Sequence, residues 1–357
     1  MSEIKKSVAW PGAPLALASA VLFGASTPFA KQLLGQGVSP WLLAGLLYLG
    51  SGLGLLSVYF IRRTFGFVST EAPLRRADLP WLLVVIVSGG LVGPLLLMFG
   101  LLQTAASSAA LLLNLEGLAT MAIAWLVFRE NVDRRILIGA AAILAGAVVL
   151  SWNGGPVPIG WGTVLIGGAC LAWGIDNNIT RKLSNADPLQ IAAVKGVVAG
   201  AVNLTLAFAD GAAVPAAPAV AGAFLIGLLG YGVSLVLFVL ALRHLGSART
   251  GAYFSTAPFI GAALAIAMFN EPVTIQLSVA AILMAIGLWL HLAERHEHQH
   301  THESLEHEHS HTHDAHHQHE HSSADPTGEP HSHWHIHRPL VHSHPHYPDM
   351  HHRHGHI

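Results

Sequence analysis

Glu116 sits at the centre of LLLNLEGLAT, Asp176 heads the polar run of WGIDNNITRK, and Lys31 and Lys195 interrupt otherwise apolar stretches. A carboxylate in such surroundings, without an obvious counter-charge, has two chemical uses. Desolvation favours its protonated form, so it can exchange protons near neutral pH. Alternatively, it can hold an amine or a metal cation directly. Asn114, one turn away, is a candidate hydrogen-bond partner, and Gly117 lets a neighbouring helix or a ligand come close. A second chemistry belongs to the C-terminal end, where histidines alternate with other residues. All 25 histidines except His244 and His291 lie from His296 onwards. Neutral imidazole is a ligand for Zn, Ni and Cu, so the candidate metal ligands are His296, His298, His300, His302, His307, His309, His311, His313, His316, His317, His319, His321, His331, His333, His335 and His337.

The elements that must position these groups are apolar. Hydrophobic residues make up 52% of the 357 and charged residues 11%, against about 25% charged in an average soluble domain. Ten apolar runs, near 14–34, 41–61, 79–101, 106–128, 134–152, 159–180, 188–209, 218–241, 247–269 and 273–292, are each long enough to cross a bilayer core of about 30 Å. The expected fold class is an all-α polytopic membrane protein of ten transmembrane helices. The single cysteine, Cys170, excludes a disulfide framework. No Gly-rich phosphate loop with a following lysine is present, so an ATP-driven pump is not indicated. The loops are short and poor in His, Asp and Glu, which argues against an enzyme, and no pattern suggests nucleic-acid binding. The apolar start is read as an uncleaved first span.

Basic residues fall in alternate loops: Arg62, Arg63, Arg75 and Arg76, then Arg129, Arg134 and Arg135, then Arg181 and Lys182, then Arg243 and Arg249. This alternation predicts cytoplasmic N- and C-termini. The two halves also repeat. FRENV at 128–132 matches FNEPV at 269–273, and AAIL recurs at 141–144 and 280–283. Five spans per copy is an odd number, so the second copy enters upside down, with Glu130 on the cytoplasmic side and Glu271 outside. The expected division is a first five-helix repeat over 1–152, a second over 153–292, and a His-rich cytoplasmic tail over 293–357. That tail has few aliphatic residues and is expected to be disordered without a ligand.

With ten spans, a five-plus-five repeat and FRE/FNE span ends, the chain resembles the drug/metabolite transporter superfamily, EamA type. The segments LLLNLEGLATMAIAWLVFRENVDRR, WGIDNNITRK and ALRHLGSARTGAYFSTAP resemble one bacterial branch of it. The resemblance covers about 14–292. It implies a bacterial inner-membrane secondary transporter, frequently an exporter of small metabolites such as amino acids or amines, with no required cofactor. The proline that the family pattern places in span 9 is present in Ala257-Pro258; the corresponding place in span 4 reads Glu116-Gly117.

Depth along the spans sorts the charges. Asp176 and Lys195 stand at matching heights, roughly 7–10 Å from the cytoplasmic ends of adjacent spans, and are predicted to pair. Lys31 lies near the outer end of its span, where it can snorkel to the surface. Ser26-Thr27-Pro28 in span 1 and Asp176-Asn177-Asn178 in span 6 are expected to interrupt their helices, and paired breaks point to a binding site. The candidate substrate and coupling residues are therefore Glu116, Asn114, Asp176, Asn177, Asn178, Lys195, Thr27 and Lys31. The leading expectation is a gradient-driven exporter, with protons as the candidate coupling ion. The alternative is a Ni/Co/Zn exporter or a metal-regulated permease. Lipid, a small molecule and metal ions are the expected partners, and monomer and homodimer both stay open.

Overall fold

The computed structural model describes residues 12–65, 73–128, 134–152, 159–183 and 186–292, and in the tail the backbone of 297–302, 305–311, 331–337 and 340–345. The bundle is helical because an apolar run in lipid must satisfy its own backbone groups. Its elements are α1 (Gly12–Gly35), α2 (Pro40–Thr64), α3 (Leu79–Val85), a π-helical turn (Ile86–Val92), α4 (Gly93–Gln103), α5 (Ala106–Leu112), α6 (Leu115–Leu126) and α7 (Arg134–Ser151). Then follow α8 (Trp161–Leu183), α9 (Pro188–Ala209), α10 (Ala217–Ile226), a second π-helical turn (Gly227–Val233), α11 (Ser234–Phe254), α12 (Ala257–Phe269) and α13 (Ile275–Leu292). Among the described residues, seven helical segments are long and apolar enough to cross a membrane, and α12 and α13 are shorter apolar helices. The outside of the bundle carries large apolar side chains such as Phe60, Leu83, Leu126, Ile282 and Trp289, each more than half exposed. Such an exterior suits lipid and would be unstable in water. The chain is a multi-pass membrane protein.

Both halves begin their second helix alike. Ser39 caps α2 by accepting from the Leu42 N–H at 3.2 Å, Asp187 caps α9 by accepting from the Leu189 N–H at 2.9 Å, and a proline follows each cap. These two helices pack along each other in opposite directions: Gly45 approaches Leu204, Leu49 approaches Gly200, and Gly52 approaches Gly196. α7 and α13 do the same, with Gly139 against Gly287 and Gly146 against Met284. Around these pairs α1 packs on α11 and α12, while α8 packs on α4 and α6. The packing is therefore unchanged if the halves are exchanged. The two π-helical turns also occupy matching places.

Three expectations need correction. First, α1 runs unbroken through Pro28 and α8 unbroken through Asp176, Asn177 and Asn178. Proline removes one helical hydrogen bond without stopping the helix here, and Asn178 returns its amide to its own helix, donating to the Gly174 carbonyl at 2.8 Å. The interruptions lie elsewhere, at Leu113-Asn114 between α5 and α6 and at Ser255-Thr256 between α11 and α12. Second, the predicted junction between 241 and 247 is locally helical. Yet the rings of Phe238 and Phe254 lie 4.9 Å apart, whereas sixteen residues of straight helix would separate them by about 24 Å. α11 is therefore sharply bent between these two rings. Third, the tail forms strands: β1 (Glu297–His302) pairs antiparallel with β4 (Leu340–Pro345), and β2 (Leu305–His311) with β3 (His331–His337). Alternation of His with other residues is the two-residue period of a strand, which outweighs the shortage of aliphatic residues. FRENV beyond Phe128, the linker 153–158 and His296, His313, His316, His317, His319 and His321 lie outside the described residues.

A Cβ added to Gly52 would stand 2.3 Å from the Val197 nitrogen, while one added to Gly167 meets nothing within 4 Å. Gly52→Ala is therefore expected to destabilise the detergent-solubilised protein by about 1–3 kcal/mol. Gly167→Ala, inside α8, should be neutral or stabilising by up to about 1 kcal/mol. Thermal unfolding followed by tryptophan fluorescence separates the two.

Candidate functional site

The first π-helical turn sets the geometry of the centre. A π turn leaves backbone carbonyls without their usual helical partners. Here the Gly89 carbonyl accepts from the Tyr48 hydroxyl of α2 and from Trp173 Nε1 of α8 at 3.1 Å, and the Gly90 carbonyl accepts from Asn203 Nδ2 of α9 at 3.2 Å. Three helices are thus tied to one irregular turn. Gly89 is needed there, since a Cβ would fall 1.9 Å from the Asp176 carboxylate.

The predicted ion pair is present: Lys195 Nζ of α9 contacts Asp176 Oδ2 of α8, and both side chains are largely buried. Thr180, one turn further along α8, donates to Asp176 Oδ1 at 3.1 Å. Asp176 and Lys195 therefore neutralise each other.

Glu116 stands in the first turn of α6, immediately after the interruption, where the positive end of the helix dipole favours a negative charge. Its described side-chain partner is an amide, Asn177 Nδ2, which donates to Glu116 Oε1 at 3.0 Å and to Thr120 Oγ1 at 3.2 Å. Asn178 Nδ2 donates to the Thr120 carbonyl at 2.9 Å and fixes α8 against α6. Glu116 is half-buried and lies within electrostatic reach of Asp176, Lys195, Tyr48 and Tyr231. It thus faces helices from both halves. Tyr231, in the second π turn, packs against Tyr48 with ring centroids 5.5 Å apart and against Phe23 at 6.1 Å, and its neighbour Gly230 approaches Ser26 of α1. Asn178 Oδ1 and Asn203 Oδ1 are buried acceptors with no hydrogen-bond partner among the described residues. The interior of the bundle thus holds unpartnered oxygen acceptors and aromatic faces.

The structure brings together Glu116, Asp176, Asn177, Asn178 and Lys195. Asn114 does something else: it donates to the Leu111 carbonyl at 2.8 Å and so closes the end of α5. Thr27 is buried within α1, and its neighbour Ser26 supplies the contact to Gly230. Lys31 is not a snorkelling side chain. Its Nζ donates to the carbonyls of Leu101 and Thr104 at the C-terminal end of α4, to the latter at 3.1 Å. Across the same break, Glu271 accepts from the N–H groups of Ala106 at 2.8 Å and Ser107 at 3.0 Å, the start of α5. Asn270, left-handed at φ 50°, ends α12 and delivers Glu271 to that place. A cation on a helix C-terminus and a carboxylate on a helix N-terminus both complement the helix dipole. Sequence reasoning missed Tyr48, Thr120, Trp173 and Asn203; Asn203, a lone amide within GAVNLTLAF, carried the only visible signal. Among the described residues of the bundle no three of His, Cys, Asp and Glu form a group that could hold a metal ion.

Removing one partner of the Asp176–Lys195 pair strands the other charge. Asp176→Asn should cost about 3 kcal/mol, the lower part of the range for buried pairs, because the Lys195 side chain is 17% exposed. The double variant Asp176→Asn/Lys195→Met should recover at least half of that loss. Thermal melts of the three proteins measure this, and equal losses in the single and double variants would refute the pairing argument.

Comparison with known proteins agrees with this architecture. The model of the EamA-like transporter family matches twice, over 10–152 and 160–293. An uncharacterized transporter of Methanothermobacter thermautotrophicus is 27% identical over 294 residues, covering 77% of this chain and 84% of the relative. A protein of known crystal structure superposes with a TM-score of 0.60 at 17% identity, covering 79% of this chain and 98% of its own, which is a likeness of fold. Two family matches that together span most of the chain, on a bundle whose halves exchange without changing its packing, leave one assignment: the chain belongs to the EamA-like transporter family.

Proposed function

We propose that the protein is a secondary exporter in which Glu116 alternately holds a proton and a small cationic metabolite, an amine or the ammonium end of an amino acid. The charge count at the centre carries this reading. Lys195 is taken up by Asp176, and the described partner of Glu116 is a neutral amide, so an ionised Glu116 leaves the interior one negative charge in excess. An unpaired charge in mid-membrane costs about 2.5–3.5 kcal/mol or more. The dipole of α6 supplies about 0.3–1 kcal/mol against it, and the Asn177 hydrogen bond about 1.5–3 kcal/mol. A proton or an ammonium removes the excess directly. The unpartnered oxygens of Asn178 and Asn203 and the rings of Tyr48 and Tyr231 suit an ammonium carried on an apolar body.

The topology that goes with this reading is ten crossings in two oppositely directed five-helix repeats, in a bacterial inner membrane, with both termini in the cytoplasm. The antiparallel course of α2 against α9 and of α7 against α13 supports the inversion. Alternating loop charges support the orientation. In that topology the Lys31 and Glu271 contacts belong to the outer end of the bundle. A path for Zn, Ni or Co through the spans has less support, because the described ligand types do not group within the bundle.

The test is efflux from everted vesicles under an imposed pH gradient, with amines, amino acids and Zn, Ni and Co ions as substrates. Glu116→Gln, expressed at the normal level, should lower gradient-driven amine or amino-acid flux at least tenfold. Unaltered pH-dependent flux in that variant removes the basis of the proposal. Truncation at residue 295 should leave the organic flux unchanged.

A further inference from the structure

The tail strands have a register that the bundle does not explain. In the β2–β3 ribbon, His307 is opposite His335, His309 opposite His333, and His311 opposite His331. In the β1–β4 ribbon, His298 is opposite His344 and His300 opposite His342. Directly opposed residues share a face, and so do residues two apart on one strand. Every one of these histidines therefore falls on a single face of its ribbon. The other face of β2–β3 takes Glu306 opposite Ile336, Glu308 opposite Trp334, and Ser310 opposite Ser332. Carboxylates are thus segregated from imidazoles by backbone register alone.

The register points to a set of cross-strand histidine rungs that binds divalent transition-metal ions of the Zn, Ni and Cu type, with the β2–β3 ribbon as the principal site. Opposed Cβ atoms lie about 4.5–5.5 Å apart, and successive rungs on one face about 6.7 Å apart. Such ions take up to four ligands, with metal–nitrogen distances of about 2.0–2.1 Å, and two successive rungs carry four histidines. An all-imidazole face selects borderline metals over Mg and Ca, which prefer oxygen. Two-stranded ribbons are marginally stable in water, and a slip of one residue would set histidine against serine, tryptophan or isoleucine. Metal that binds only the paired register therefore holds the two strands together. The site is independent of the transport reading, since it uses no residue of the bundle.

The experiment compares the full-length protein in detergent with a variant of the same composition. In that variant Ser332→His, Trp334→His, His335→Ser, Ile336→Trp and His337→Ile gather the four β3 histidines into a block at 331–334. No register can then bring more than two of them to one face. Zn(II) affinity is measured by competition with a chromophoric chelator at pH 7.5, and backbone hydrogen exchange is followed by mass spectrometry. The parent is expected to bind at least tenfold more tightly, and its 305–311 and 331–337 peptides should slow at least tenfold on addition of Zn(II). Equal affinity in the two proteins, or tight binding without protection of either peptide, would mean that histidine number alone is responsible and would overturn the proposal.

Discussion

Two carboxylates and one ammonium share the middle of this bundle, and the imbalance shapes what surrounds it. Asp176 and Lys195 form a neutral unit that the helices can bury. Glu116 is left over, so the fold places it where a charge is least costly, in the first turn of α6 and within reach of Asn177. That position exists only because the fourth span is interrupted at Leu113-Asn114. The break and the acid therefore belong together. The same dependence explains why Asn114, next to the break, satisfies the end of α5.

Backbone irregularity also replaces charge as the means of holding the spans together. In lipid the usual hydrophobic drive between helices is absent, so packing and hydrogen bonds must do the joining. The π turn at Ile86–Val92 exposes carbonyls to which Tyr48, Trp173 and Asn203 donate from three other helices. Its counterpart at Gly227–Val233 brings Gly230 to Ser26 and Tyr231 to Tyr48. The two turns occupy matching positions in the two repeats and meet through their tyrosine contacts. The centre of the molecule is thus built from the least regular piece of each half.

Legibility in the sequence followed the range of the interaction. Span positions, the repeat and the Asp176–Lys195 pair could be read because hydropathy and helical rise are local quantities. The breaks could not. Proline at 28 and the Asp-Asn-Asn run look like interruptions, yet side chain to backbone bonds within and between helices absorb them. The real breaks, at Leu113-Asn114 and Ser255-Thr256, carry no proline or glycine of their own. The π turns depend on donors from distant spans, which a linear reading cannot supply. Lys31 was misread for the same reason: its acceptors lie 70 and 73 residues away. In the tail, alternation was visible, but which histidine faces which depends on register.

At the α4–α5 connection the two halves of the bundle are tied together by charged side chains. Lys31 lies on α1 and Glu271 in the connection after α12, in opposite halves, and between them they make four charge-assisted hydrogen bonds across the α4–α5 break. Each such bond is worth about 1.5–3 kcal/mol where water does not replace it. Opening that connection is therefore costly, and a ligand can shift the equilibrium only by the difference in its affinity for the two states. The trigger under the proposed function is a change at Glu116, because α6 follows α5, whose N-terminus Glu271 caps. Under the proposed cycle, neutralising Glu116 alters how α6 meets α8, and the α5–α6 unit carries that change across its break to the Glu271 end. Coupling between Glu116 and the Glu271 end then needs no relay of charges, only an interrupted helix with a carboxylate governing each of its two starts.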